Sequence, residues 1–161
     1  MAQRAAPEAA LRFFESLSLA GGTLSRRTLV RLSIKDAVMI ESIVVCLALT
    51  AYHEARGEAE AGQRAVMQVV LNRSKERKMK VCNVVTEKNQ FSWTNGKKDP
   101  LSQVPKGEVW ARIKMIAREE MTKCCPYNLQ YFHHVKERPK WRHDFKRVIV
   151  LGNHIFYSKK S

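Results

Sequence analysis

The segment Tyr52-His53-Glu54-Ala55-Arg56-Gly57-Glu58 gathers more potential chemistry than any other stretch of the chain. Just upstream, Val44, Val45, Leu47, Ala48 and Ala51 cover most sides of a helical wheel, so the carboxylate of Glu54 falls at the end of a helix that reads as largely buried. Burial disfavours the ionised form and raises the pKa, which is what a general acid working near neutrality requires. The partial negative charge of a helix C-terminus pushes the same way. Arg56 and His53 pull in the opposite direction, and a helix-end Glu54 paired with Arg56 or Arg73 is the plain structural alternative. Glu58 would share a face with Glu54 if the helix continued. Gly57 predicts a stop instead, which leaves Glu58 at the entrance of the next helix, where negative charge is favourable. The remaining carboxylates, Glu119, Glu120 and Glu137 among them, lie in charged stretches and read as solvated.

Other reactive residue types are present without a telling arrangement. His53, His133, His134, His143 and His154 never fall into the His-Glu-x-x-His spacing that sets two ligands on one helix face, so the reading is of no metal and no cofactor. Cys46, Cys82, Cys124 and Cys125 contain no CxxC pair. Free, partly buried thiols are the plainer reading, with a Cys82 bridge to Cys124 or Cys125 as the alternative in an oxidising compartment.

These residues need elements to position them. Ser33-x-x-Asp36 ahead of the apolar run predicts a capping box and the start of the helix that ends near Arg56 and Gly57, the glycine serving as its C-terminal cap. A second helix is expected from about 61 to 73, with Ala65, Val66, Val69 and Val70 as its apolar stripe. A basic stretch follows, then the short apolar segment Val81 to Val85 and a turn at Asn95-Gly96. A third helix reads from about 107 to 123, with Val109, Ile113, Ile116 and Met121 on one side. Val148 to Leu151 and His154 to Tyr157, joined by Gly152-Asn153, read as a β-hairpin. The expected class is α+β and helix-rich, with a catalytic unit over 33–161 and a basic extension over 1–32. That extension is either a targeting arm or a short packed helix.

Several ordered blocks carry a resemblance to a known family. The Tyr52 to Glu58 segment is followed by Gly62-Gln63, Ala65-Val66 and Val70-Leu71-Asn72-Arg73, then by Val81-Cys82-Asn83-Val84-Val85 and Gln90-Phe91-Ser92-Trp93. Tyr131-Phe132-His133, Pro139-x-Trp141 and Gly152-Asn153-His154-Ile155-Phe156-Tyr157 complete the series. Together they resemble the SleB-type cell wall hydrolases over roughly residues 43 to 158. The resemblance implies a lysozyme-like single domain related to lytic transglycosylases. It implies peptidoglycan glycan strands as substrate, cut between N-acetylmuramic acid and N-acetylglucosamine, with Glu54 as catalytic acid/base. Gln90, Ser92 and Tyr131 would orient N-acetyl groups or stabilise the transition state, or else hydrogen-bond a turn or sheet edge. Trp93 and Trp141 would offer flat faces to sugars or pack as buried aromatics. His133 would touch substrate or position Glu54, and Asn72 and Arg73 would cap or brace a helix.

The chain of 161 residues carries 29 Lys and Arg against 15 Asp and Glu, a formal net charge of +14. Such a field favours polyanionic partners. An anionic envelope surface fits; nucleic acid is disfavoured because no nucleic-acid-binding fingerprint is present. No secretory signal is visible in the first 20 residues and Ile43 to Ala51 is too short to span a bilayer. The expectation is a monomeric bacteriophage lysin, either released to the wall from the host cytoplasm or carried by the virion.

Overall fold

The computed structural model describes residues 33–123 and 127–160; the expected extension over 1–32 and both Cys124 and Cys125 lie outside the described residues. Contacts divide the chain between Ile40 and Glu41, so of the described residues 33–40 belong to one unit and 41–160 to the other. Helix α1 (Ile34–Ala55) runs through that boundary. Its start is the expected capping box: the Asp36 amide donates to the Ser33 hydroxyl at 3.2 Å, and the Ser33 amide donates to the Asp36 carboxylate at 3.1 Å.

Within the larger unit follow α2 (Glu60–Arg77), α3 (Val81–Thr86), a 3-10 turn (Ser92–Thr94) and α4 (Glu108–Thr122). Strand β1 (Tyr131–His134), a second 3-10 turn (Lys140–His143), β2 (Lys146–Leu151) and β3 (His154–Ser158) complete it. The strands form one antiparallel sheet in the order β1-β3-β2, which makes β1 an edge strand. Residue pairs Tyr131–Tyr157 and His134–His154 fix the β1–β3 register, and a bulge between Arg147 and Ile149 interrupts β2–β3.

Helix α2 is buried on two sides. Met67 and Val70 join Val44, Leu47 and Ala51 of α1, Val84 and Val85 of α3, and Ile113 and Ile116 of α4 in one apolar cluster. Ala65, Val66 and Val69 join Leu129 and Phe156 in a second cluster, against the sheet. The predicted α2 stripe thus serves two cores at once. Arg64 at the α2–α4 contact ties Glu60, Glu119 and Glu120 together, and Glu120, read from sequence as solvated, is only 2% exposed.

Several expectations are corrected. Helix α2 runs on through Lys75 to Arg77, because long charged side chains are good helix formers, and it ends where Lys78 turns left-handed with φ of 53°. The apolar segment at Val81, to which the sequence assigns no element, is a helix, three of whose side chains are buried. Gly57 has no left-handed conformation; the turn closes through the Glu58 amide onto the Ala55 carbonyl at 3.0 Å. On α4 the inward residue is Trp110, while Val109 is 46% exposed. Cys46 and Cys82 are neither free thiols nor partners of the later cysteines: they are joined to each other, α1 to α3, with 5.4 Å between their Cα atoms. The hairpin stands as expected, with Gly152 at φ of 56° in first place of the two-residue turn. Among the described residues no helix is long and apolar enough to cross a membrane.

Candidate active site

Glu54 sits in the last turn of α1, half-buried, one residue before the buried Ala55. Neither arginine of the structural alternative pairs with it. The Arg56 guanidinium lies 5.2 Å from the centre of the Tyr52 ring. Arg73 donates through Nε to the Gln130 carbonyl at 2.7 Å and through Nη1 to Gln90 Oε1 at 2.9 Å. Burial, and after it the negative charge of Glu137, pushes the Glu54 carboxyl above its ordinary range.

The carboxyl opens into a cleft of about 290 Å³ that also takes in Arg73, Gln90, Ser92, His133, Glu137 and His154. Five residues singled out from sequence therefore meet there, brought from α1, α2, the first 3-10 turn and the segment leading into it, and the edge strand β1. Arg73 is buried beneath the Tyr131 ring, its carbon centre 5.3 Å from the ring centre, and desolvation brings it down to about 10. Its role is to hold Gln90 and the approach to β1 in place.

Both ring nitrogens of His133 are engaged. A carbonyl accepts only, so Nδ1 donates to the His134 oxygen at 2.8 Å, and Nε2 is left to accept from the Tyr157 hydroxyl at 2.9 Å. His133 thus braces the sheet and presents its ring, not a free nitrogen, to the cleft. His154 is buried, and its Nδ1, without a hydrogen-bond partner among the described residues, lies 3.7 Å from Glu58 Oε1. Desolvation lowers its pKa against the opposing pull of Glu58.

The other predicted residues lie around the cleft without lining it. Tyr131 stacks on Phe145 with ring centres 3.9 Å apart, and Trp141 packs at 5.6 to 5.8 Å from His133, Tyr131 and Tyr157. Trp93 stacks on the exposed His53 ring at 4.5 Å, and its buried Nε1 has no hydrogen-bond partner among the described residues. Asn72 donates to the Tyr127 and Leu129 carbonyls, 3.1 and 2.9 Å away. Glu58 accepts from the Asn153 amide at 3.1 Å and so holds the hairpin turn. Sequence reasoning missed Glu137, His134 and the pocket-facing role of His154. The His154 block had been noticed, but nothing local marks Glu137, which reaches the cleft because the turn after β1 folds back through its amide onto the His134 carbonyl at 2.8 Å. Among the described residues no group of three His, Cys, Asp or Glu is placed to hold a metal ion.

A half-buried, unpaired carboxyl on a polar cleft is the arrangement of an acid/base enzyme acting on a polar substrate. The family model of cell wall hydrolases matches residues 57–157, and the chain belongs to that family. The solved catalytic domain of the SleB protein of Bacillus cereus is similar, with a TM-score of 0.60 and 24% identity, over 73% of this chain and 91% of that one. The fold is lysozyme-like, helix-rich with a small three-stranded sheet. No curated protein matches the chain. Glu54 stands just ahead of the matched span, so its role rests on the geometry of the cleft.

Proposed function

We propose that this cell wall hydrolase family member cleaves the glycan strand of peptidoglycan between N-acetylmuramic acid and N-acetylglucosamine, as a lytic transglycosylase. The observation that carries the reading is Glu54: half-buried at a helix end, without an ion pair among the described residues, raised in pKa and opening on a polar cleft. In its acid form Glu54 gives its proton to the glycosidic oxygen as the bond to the muramic anomeric carbon breaks. The resulting carboxylate takes the proton of the muramic C6 hydroxyl while that oxygen bonds to the anomeric carbon. The products are a free N-acetylglucosamine hydroxyl and a 1,6-anhydro end, with Glu54 again protonated. Gln90, anchored by Arg73, and the exposed Ser92 offer hydrogen bonds to the sugar.

Family membership supports a wall-degrading enzyme, and the lysozyme-like fold supports glycosidic chemistry. The Cys46–Cys82 bridge supports work outside a reducing cytoplasm, as a bacteriophage lysin would perform at the wall. The net charge of +14 supports adhesion to an anionic envelope.

The test is mass spectrometry of fragments released from purified peptidoglycan by wild type and Glu54→Gln. Anhydro-muramic ends that vanish in the variant are expected. Reducing muramic ends would replace transglycosylation by hydrolysis, and no release from accessible wall by the folded wild type would overturn the enzymatic reading.

A further inference from the structure

Glu137 is the second carboxylate of the cleft that holds Glu54, and it comes from a different element: Glu54 lies in the last turn of α1, whereas Glu137 stands on the turn that leaves the edge strand β1. That turn is fixed at two points. The Glu137 amide donates to the His134 carbonyl at 2.8 Å, and the Val135 amide donates to the Asn153 carbonyl of the hairpin turn at the same distance. The side chain is solvent-exposed and, among the described residues, forms no hydrogen bond or ion pair that would occupy it. An exposed surface glutamate without a partner is ordinary; one that lines the same small cleft as a half-buried carboxyl is not.

We propose that Glu137 is a charge-stabilising residue of the cleavage reaction: its carboxylate lies along the bound glycan and balances the positive charge that develops at the anomeric carbon, while Glu54 performs both proton transfers. The proposal rests on the glycan-cleaving reading above. Glycoside cleavage passes through a cation-like transition state, and a fixed negative charge facing it lowers the barrier. Before substrate arrives the same charge does a second job, because it helps burial keep Glu54 in the acid form.

The other charged and titratable groups facing the cleft do not take this role. Arg73 from α2 is spent on Gln130 and Gln90. From β1, His133 has both nitrogens engaged, and His134 accepts the Lys136 amide at Nδ1, 3.2 Å away. From β3, His154 is buried and its pKa is lowered, so near neutrality it adds no fixed charge.

The experiment follows soluble glycan release from purified peptidoglycan as a function of pH and wall concentration for wild type, Glu137→Gln, Glu137→Asp and Glu54→Gln, with thermal unfolding of each. Glu137→Gln is expected to lower the saturated rate by about ten- to a hundredfold with little change in half-saturation. Its high-pH limb is expected to move to lower pH, because Glu54 loses a neighbouring negative charge. Glu137→Asp should recover part of both effects, and the melting temperature should stay put. If Glu137→Gln keeps the wild-type rate and limb while Glu54→Gln is dead, Glu137 is a bystander and the cleavage reading survives. A rate loss that tracks a lowered melting temperature and is not relieved by Asp also defeats the proposal. An active Glu54→Gln would instead remove Glu54 as the acid, and with it the observation on which both the proposed function and this role for Glu137 rest.

Discussion

At the scale of single residues, Glu54, the proposed catalytic acid, sets function against stability. Its carboxyl is raised in the folded state by burial and then by Glu137, so ionisation is harder in the native protein than in the unfolded chain. The sign follows: below the unfolded pKa both states are protonated and nothing is lost, whereas above the folded pKa the native state carries a charge it disfavours. Glu54→Gln is therefore expected to melt higher than wild type at neutral pH, and the difference should fade as the pH is brought below about 4. Scanning calorimetry of the pair at both pH values checks this, and a stabilisation equal at both would mean the effect is packing and not charge. Such a gain on removing the acid is what an active-site group held in an unfavourable ionisation state gives. The position of Glu54 was legible beforehand because its causes are local: an apolar run, a helix end and a stop. Glu137 was illegible for the opposite reason. Its surroundings are Lys136 and Arg138, a solvated stretch by any local criterion, and only the folding back of the turn after β1 gives it a role.

At the scale of elements, the hairpin turn shows how one loop is held by a distant helix entrance. Gly152 has φ of 56°, and a Cβ there would lie 1.7 Å from Glu58 Oε2, the oxygen that accepts the Asn153 amide. Gly152→Ala combines left-handed strain with expulsion of that carboxylate, and is expected to destabilise by about 1–3 kcal/mol. Urea unfolding measures it; a cost no greater in wild type than in a Glu58→Ala background would show that the carboxylate contact contributes nothing. The hairpin, α4 and the Ser33–Asp36 box were readable because each is a short-range pattern. Strand β1 was not, although Tyr131 to His133 had been noticed. Four residues followed by Val135-Lys136-Glu137-Arg138, which has no turn signature, carry little signal, and it is a strand only because β3 pairs with it. The segment Val81 to Val85 carries no element assignment for a different reason, since a short apolar run fits a helix or a strand equally well until packing decides.

At the scale of the whole molecule, the long-range staple among the described residues is the Cys46–Cys82 bridge, its ends 36 positions apart. Closing a loop of that length restricts the unfolded chain and is expected to contribute about 4 kcal/mol. Reduction by dithiothreitol, or the Cys46→Ala and Cys82→Ala double variant, should lower the denaturation free energy by about that amount, read from urea curves with and without reductant. The pairing was hidden from sequence inspection because it depends on α1 packing against α3, and no spacing rule connects residues on two helices that far apart. The bridge also sets a clock. A loss of about 4 kcal/mol enlarges the open share of the population several hundredfold, so a protease that meets the reduced chain finds its target far more often than one that meets the oxidised form. The same polypeptide is thus expected to be degraded sooner where thiols stay reduced than where the Cys46–Cys82 bridge persists.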